Sequence, residues 1–497
     1  MHNSSLIEIL KSFTPEEMKR FEEFVSSPYF NKKSAVINLC RHIRKYSPEF
    51  KSPKLERKIT WKVLYPDREY NYGIFKNLVF DLTKLADRFI TIEYFQKDEI
   101  EMNYDHLDSL NERELLRLFK SKFVTSEKFI NELYRNKKIP AENLFNALSR
   151  LYLLRFGFSN IYDPHKKISD ELRKHTIYLM SGFLIQVFKA YNNVRGFSQD
   201  HHYNMEKNIV ENFILKADSS DLISDMLDSV REFSEDIFII LDLYYKFFRA
   251  CSDSKSEEKY FAYKEALSSS SGGLSLQDKH IFYVELQNCL TFMNSPGINK
   301  SKETLDIVRL KIKYKVLLDQ DDHLDLSYFI SVIQTACNIN DSEFIVSFTD
   351  KFLNYVSKES RDNLLKYSNA HLYFSENEFQ KSLETILTVD YDLFIMKYYL
   401  KDLQMMNFYE LNDYDSFLMI SDSFRHFLSN NKSITGKWKI KQSMFDNYLN
   451  RLFKLREKRD PSALKDLKTE IMNSDTSKKQ WLIRKVSESE KLWSKKS

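Results

Sequence analysis

The sequence predicts an all-α fold, in which an N-terminal helical domain is followed by an α-solenoid of helical hairpins. Glycine and proline number only 8 and 9 in 497 residues, whereas parallel α/β folds and β-sandwiches need glycine at many of their turns. Apolar residues recur at helical spacing in one segment after another. Aromatic residues make up 14% of the chain, which is enough to fill a sizeable helical core.

The first helices are marked by their starts and breaks. In "FTPEEMKRFEEFV" Thr14 can cap a helix, Pro15 suits the first turn, and Glu17 stands at the capping-box distance. Pro28 in "SSPYFNKK" ends this helix, and Asn31 is expected to cap the next one. A longer helix is predicted at "NYGIFKNLVFDLTKLADRFI", with a buried stripe made of Ile74, Leu78, Phe80–Leu82, Leu85 and Phe89.

Towards the C-terminus a polar turn that leads into an aromatic residue recurs at a fixed step. The turns "NDSEF", "SENEF" and "LNDY" end at Phe344, Phe379 and Tyr414, which are 35 residues apart. An apolar helix precedes each turn and another follows it. A helix-turn-helix unit of about 34 residues is the period of tetratricopeptide repeats.

The segment "YSNAHLYFSENEFQKSLETILTV" resembles a degenerate tetratricopeptide repeat. Small Ala370 and Ser382 stand where two helices of that family cross closely, and Tyr373 and Phe379 stand at family positions for large residues. The resemblance covers about residues 326–428 and extends more weakly over 230–325. It implies a concave groove lined by the first helix of each repeat, and the matching positions here are Phe329, Tyr367, His371, Asp402 and Tyr409.

Those five residues are the predicted partner-binding site. The alternative is that they pack in the core or at the edges of the repeats. Family variants that clamp a terminal carboxylate use lysine and asparagine, but Val332 and Ala336 stand at the corresponding positions here. We therefore do not expect that activity.

The charge is distributed unevenly along the chain. Residues 1–97 carry 18 basic and 12 acidic side chains, residues 432–497 carry 18 and 8, and the middle carries 39 and 51. An acidic middle favours a basic ligand for the predicted groove. The basic ends suit an acidic partner or nucleic acid, or are simply solvated.

The N-terminal unit provides the second hypothesis, which is a nucleic-acid-associated regulator with a basic head and a helical-repeat sensor body. The stretch "YPDREYNYGIFKNLVFDLTKLADRF" is faintly similar to the winged-helix domain of certain bacterial transcriptional activators. The wing is in doubt, because "ITIEYFQKDE" offers at most one short strand. The resemblance and the basic run before it imply phosphate or acidic-partner contacts at Lys32, Lys33, Arg41, Arg44, Lys45, Arg57 and Lys58.

The C-terminal segment combines Trp438, Trp481 and Trp493 with many lysines. This composition suits a basic amphipathic helix that binds an acidic partner, RNA or a lipid surface. It also suits a capping helix that covers the last repeat, which a repeat array needs for solubility. We prefer the cap.

Enzymatic and cofactor chemistry is not predicted. The chain has no glycine-rich phosphate loop and none of the common hydrolase motifs. The pair His201 and His202 and the acidic run "DQDDHLD" both lack the spacing of a metal site. The cysteines Cys40, Cys251, Cys289 and Cys337 lie far apart, which predicts buried thiols in a reducing compartment.

From these observations we expect a cytoplasmic, non-enzymatic scaffold or adaptor that binds a protein or peptide and needs no cofactor. No stretch of 18 apolar residues occurs, so no membrane-spanning helix is predicted. The predicted domains are a basic N-terminal domain at 1–97, a helical array at 105–230, repeats at 231–431 and capping helices at 432–497.

Overall fold

The computed structural model describes residues 4–494 except for 137, 163–167, 202–207, 296, 320, 391–393 and 432–435. The described residues form 24 α-helices and three short 3-10 helices, with no β-strand among them. The predicted all-α fold class is therefore confirmed. Within the same residues no helix is long and apolar enough to cross a lipid bilayer.

The chain folds as two compact units, which are described separately. Unit 1 consists of Met1–Glu132 and Asn146–Tyr178, and unit 2 consists of Leu133–Phe145 and Leu179–Ser497. The four-part division predicted from the sequence is finer than this and stays a prediction.

Unit 1 begins with five helices that enclose one apolar core, α1 (Ser5–Lys11), α2 (Pro15–Ser26), α3 (Ser34–Arg44), α4 (Arg57–Leu64) and α5 (Tyr72–Phe95). It continues with α6 (Glu99–Glu112). Three further helices contribute residues to both units, α7 (Leu116–Arg135), α8 (Ala141–Tyr162) and α9 (Ile168–His201).

Unit 2 continues as a series of helices in which chain neighbours pack together in pairs. They are α10 (Ile209–Ser219), α11 (Leu222–Phe233), α12 (Glu235–Ser252), α13 (Glu257–Ser270), α14 (Leu276–Phe292), α15 (Lys300–Lys313), α16 (Leu326–Asn338), α17 (Ser342–Phe352), α18 (Arg361–Ser375), α19 (Phe379–Ile386), α20 (Phe394–Glu410), α21 (Tyr414–Asn430), α22 (Gly436–Lys458), α23 (Pro461–Asn473) and α24 (Lys479–Ser494). A continuous apolar cluster extends from Leu305 in α15 to Val486 in α24. This arrangement is compatible with a helical repeat.

The 35-residue step in the sequence corresponds to a recurring corner between helices. Asn340, Asn377 and Asn412 each adopt a positive φ, between 57° and 63°, just after α16, α18 and α20. Asparagine tolerates this left-handed conformation better than most residues. At each corner the next amide donates to the carbonyl five residues back, at 2.8–3.0 Å. The three predicted polar turns thus contain the same C-terminal helix cap.

The predicted close crossing in the middle of this series is also present. Ala370 and Ser382 are fully buried, and the Ser382 hydroxyl donates to the Ala370 carbonyl at 2.8 Å. The Asn407 side chain of α20 donates in turn to the Ser382 hydroxyl at 2.9 Å. Small side chains therefore let α18, α19 and α20 approach closely, as the resemblance to the repeat family implies.

The break at "SSPYFNKK" is a corner between α2 and α3. The capping box of Thr14 and Glu17 starts α2 as predicted. Asn31 does not cap α3 as predicted, because α3 begins after Lys33. The Asn31 amide group instead donates to the Val25 carbonyl at 2.9 Å, and its oxygen accepts from the Lys33 amide at 2.9 Å. Asn31 therefore fixes the corner from inside.

The likeness to a winged-helix domain is not supported by the elements of unit 1. Residues 91–95, where the sequence allowed a short strand, form the last turn and a half of α5. This end of α5 is held against α2 by an ion pair in which the Arg20 guanidinium lies 2.5 Å from the Glu93 carboxylate. The wing of that family has no counterpart among the described residues.

The prediction of four separate thiols is wrong for two of the cysteines. Cys251 and Cys289 form a disulfide bond between α12 and α14, with their Cα atoms 5.3 Å apart. Cys40 and Cys337 are free and buried, as predicted. The pairing was not visible in the sequence because the two cysteines are separated by 38 residues and belong to helices that pack only in the folded chain.

Candidate partner-binding surface

In unit 2 the last described helix packs against helices that come earlier in the chain. We call residues 474–494, which comprise a short turn and α24, the C-terminal segment. The first helices of successive hairpins, α16, α18 and α20, pack beside one another. Side chains of the C-terminal segment contact α16 and α20 directly, as described below. The surface that the repeat resemblance assigns to a ligand is therefore filled by part of the same chain.

Trp481 is the apolar anchor of the C-terminal segment. Only 2% of it is exposed, and its ring lies 5.4 Å from that of Tyr409 and 6.3 Å from that of Phe445, edge to face in both cases. Leu482 and Val486 beside it are fully buried. Edge-to-face aromatic pairs stabilise a contact by about 0.5–1.5 kcal/mol beyond the effect of the area that they bury.

Basic side chains of the segment meet acidic and polar groups of the repeat helices. The Lys485 ammonium lies 2.7 Å from a carboxylate oxygen of Glu410 and 2.8 Å from one of Glu488. The Lys478 ammonium donates to the Asn338 side chain at 3.4 Å and lies 4.0 Å from the carboxylate of Asp402. The side chains of both pairs are 11% exposed or less, so the attraction within each pair offsets a cost of removing the charges from water.

The polar contacts in this region leave some groups unsatisfied. Gln442 of α22 donates to Asp402 Oδ1 at 2.5 Å and accepts from Tyr398 and Ser477. Among the described residues no hydrogen-bond partner is found for Asp402 Oδ2, Trp481 Nε1 or Arg484 Nε. A buried polar atom without a partner costs roughly 1–3 kcal/mol. These unsatisfied atoms therefore reduce the free energy with which the C-terminal segment is bound, relative to its apolar contacts alone.

Burial shifts the pKa values of ionisable groups in the C-terminal segment and in the helices of unit 2. It raises the pKa of Asp402 to about 6, against the opposing effect of the Lys478 charge. It lowers the pKa of Lys478, because removal from water disfavours the charged ammonium. Burial likewise lowers the pKa of His371 to about 3, although the imidazole is hydrogen-bonded to the Tyr367 carbonyl.

The five residues predicted to line an exposed groove are all buried. The exposed fraction is 1% or less for Phe329, Tyr367, His371, Asp402 and Tyr409. The prediction that they line an open groove is therefore corrected. Neighbouring helices and the C-terminal segment cover them. Asp402 and Tyr409 contact the segment directly, whereas Phe329 packs against Phe348 in α17. Val332 and Ala336, the positions of the carboxylate clamp, are buried as well.

From the sequence we preferred a capping helix for this segment, but we did not predict which side chains hold it against α20. The residues that carry the contact are Lys478, Trp481 and Lys485; Trp481 and Lys485 lie on one side of α24, and Lys478 lies in the turn just before it. The sequence contained this spacing, but the same composition also suited an amphipathic helix that binds an acidic partner, RNA or a lipid surface. The position at which the segment packs depends on its acidic partners, Glu410 and Asp402. Both lie about 75 residues earlier in the chain, so the local spacing does not indicate them.

The seven basic residues predicted for nucleic-acid contact do not form one uniform surface in unit 1. Lys33 pairs with Asp81, and Arg41 and Arg44 both pair with Glu22. The Arg57 guanidinium lies 5.7 Å from the ring centre of Tyr72. The other three are exposed and have no carboxylate within 4.0 Å among the described residues, namely Lys32, Lys45 and Lys58.

Metal chemistry has no candidate in the described part of the chain, which contains no cluster of three or more potential metal ligands. His202 and part of the acidic run lie outside the described residues. No protein-family model, curated protein or solved structure matches this sequence.

Proposed function

We propose that this chain is a non-enzymatic scaffold whose repeat surface binds a basic, tryptophan-bearing helix of a protein partner. The observation that carries the proposal is the contact of the C-terminal segment with α16 and α20. There Trp481 packs on Tyr409, while Lys485 and Lys478 approach Glu410 and Asp402. The repeat surface thus holds a helix of this chemistry within its own chain.

The proposed ligand pattern is lysine, tryptophan and lysine at intervals of three and four residues, read from Lys478, Trp481 and Lys485. The negative charge of the middle of the chain attracts such a helix, as the sequence analysis expected. Release of the segment lets water satisfy Trp481 Nε1, and a partner that donates to Asp402 Oδ2 satisfies the other buried atom, so both lower the cost of exchange. A partner would then replace the C-terminal segment on the same surface.

We assign the hairpins from α16 to α21 to the tetratricopeptide kind as part of this proposal. The three asparagine corners and the crossing at Ala370 and Ser382 support that assignment. Binding of nucleic acid is the weaker proposal. Three of its seven predicted cations are paired with carboxylates, and proteins that bind duplex DNA tightly make about 6–10 phosphate contacts.

The proposal is tested by supplying the C-terminal segment as a separate chain. We expect residues 474–497, carrying an affinity tag, to co-purify with a co-expressed chain of residues 1–473. The dissociation constant should be about 1 µM or lower. Titration of the purified complex with an unlabelled peptide of the same sequence should displace the tagged one.

Two variants of the tagged segment provide the matched comparison. Trp481→Ala should abolish co-purification, whereas Leu492→Ala should leave it unchanged, because Leu492 is 61% exposed. The proposal is contradicted if the chain of residues 1–473 is soluble and helical but does not bind the segment. It is equally contradicted if the chain of residues 1–473 is insoluble or unfolded without the segment, because α24 would then be an integral part of the core.

A further inference from the structure

Helix α5 exposes aromatic side chains that the sequence pattern assigned in part to its buried stripe. Leu78, Leu82 and Phe89 are buried as predicted. Phe80 is instead 55% exposed, and Tyr94 and Phe95 near the end of the helix are 77% and 43% exposed. Large rings on one exposed helix face are typical of contact sites.

The exposed face follows a regular seam along the helix. Its members are separated alternately by three and four residues, which is the spacing of a helix–helix contact: Asn77, Phe80, Lys84, Asp87, Thr91 and Tyr94. All six are exposed. With a rise of about 1.5 Å per residue, the seam extends over roughly 25 Å.

Two charges of opposite sign lie at the centre of the seam. Lys84 and Asp87 are three residues apart on the same face, yet no ion pair joins either of them to another described residue. The Lys84 ammonium lies 4.5 Å from the ring centre of Phe80 instead. Nearby charges are already engaged, since Asp81 pairs with Lys33 and Arg88 lies over the ring of Phe30.

We propose that this seam is a contact between two copies of the chain, related by a two-fold axis that crosses α5 between Lys84 and Asp87. In the antiparallel arrangement, Lys84 of each copy meets Asp87 of the other, and Phe80 meets Thr91. Lys76 comes opposite Phe95, which allows a cation–π contact. Each pair occurs twice, as a two-fold contact between identical surfaces requires.

The distribution of charge favours a second copy over other occupants. A nucleic-acid strand would meet the carboxylate of Asp87 in the middle of the face, and so would an acidic helix. A second copy in the antiparallel orientation carries the same two charges in reverse order, so it satisfies both Lys84 and Asp87. The single helix face is smaller than a standard interface of about 800 Å² per partner, so the dimer is weak, with a dissociation constant in the range of tens of micromolar.

The test is sedimentation velocity of the full chain at low salt, at concentrations up to about 200 µM. The wild type should dimerise reversibly, and added salt should weaken the dimer. Lys84→Asp and Asp87→Lys should each raise the dissociation constant about tenfold, because each places like charges opposite one another. The double variant K84D/D87K should return to within about threefold of wild type.

Lys19→Asp is the matched control, since Lys19 is an exposed lysine of α2 outside the seam. It should leave the dissociation constant unchanged. The proposal is overturned if the wild type stays monomeric throughout, in which case another protein or a nucleic acid takes this face. It is also overturned if the double variant dimerises no better than the single ones, because the two charges would then not pair across the axis.

Discussion

Replacing Trp481 with alanine should destabilise the docking of α24 by about 3–5 kcal/mol, the usual cost of truncating a fully buried large aromatic side chain. The ring is 2% exposed and contacts Tyr409 and Phe445. Most of the α24 contact depends on this side chain together with Leu482 and Val486. The expected result is therefore an undocked α24 in a chain whose repeat helices remain folded. Circular dichroism and urea denaturation of the full chain measure it.

Two other substitutions show whether the loss of stability is specific to the buried ring of Trp481 or follows from removing any tryptophan. Trp481→Phe should cost much less than Trp481→Ala, because it retains a ring and removes an indole N–H that has no hydrogen-bond partner. Trp438→Ala should also cost less, because Trp438 is 37% exposed. If Trp481→Ala melts like the wild type, Trp481 does not hold the C-terminal segment.

The second large effect concerns pH and His371. Burial lowers the pKa of the folded-state imidazole to about 3 from the unfolded value of 6.5. The folded state therefore binds a proton less readily than the unfolded state. The stability contributed by neutral His371 is complete above pH 6.5 and is lost as the pH falls towards 3. The loss is about 1.4 kcal/mol per pH unit within this window.

Asp402 changes the stability in the opposite direction over part of the same pH range. Its pKa is raised to about 6 by burial, so its contribution is complete below the unfolded value of 3.8 and is lost as the pH rises through 6. The wild-type pH profile is therefore the sum of two opposing slopes. A comparison with a His371 variant isolates the histidine.

His371→Leu provides this comparison. The difference in unfolding free energy between wild type and variant should shrink by roughly 2 kcal/mol from pH 6.5 to pH 4.5. Other titrating groups contribute equally to both proteins and cancel. Urea denaturation at four or five pH values measures the difference. A difference that stays constant over this range would mean that His371 is protonated as easily in the folded state as in the unfolded state.

The helices and their corners were predictable because local chemistry determines them. Thr14 and Glu17 start α2 through contacts three residues apart, and asparagine at 340, 377 and 412 ends α16, α18 and α20. The crossing of Ala370 with Ser382 was also visible, since both residues belong to one hairpin. Signals of this kind act over a few residues or one helical pair, so the sequence displays them directly.

The location of the predicted site residues was not predictable in the same way. Helical spacing identifies Tyr367, His371 and Tyr409 as members of one face, but it does not say what packs on that face. The covering residues Lys478 and Trp481 come from the C-terminal segment, about 70 or more residues further on. The disulfide between Cys251 and Cys289 was missed for the same reason, because a contact between distant helices leaves no periodic mark in the sequence.

The central claim is that the C-terminal segment is a ligand of the repeats and not part of their core, and hydrogen exchange of the intact chain tests it most directly. We predict that the amides of α24 exchange through a local opening at least about 2 kcal/mol less costly than the opening that exposes α20 and α22. Added denaturant should leave the exchange of α24 nearly unchanged at first, because a local opening exposes little surface. If α24, α20 and α22 instead exchange with the same free energy and the same denaturant dependence, the segment opens only when the whole unit unfolds, and the claim is wrong.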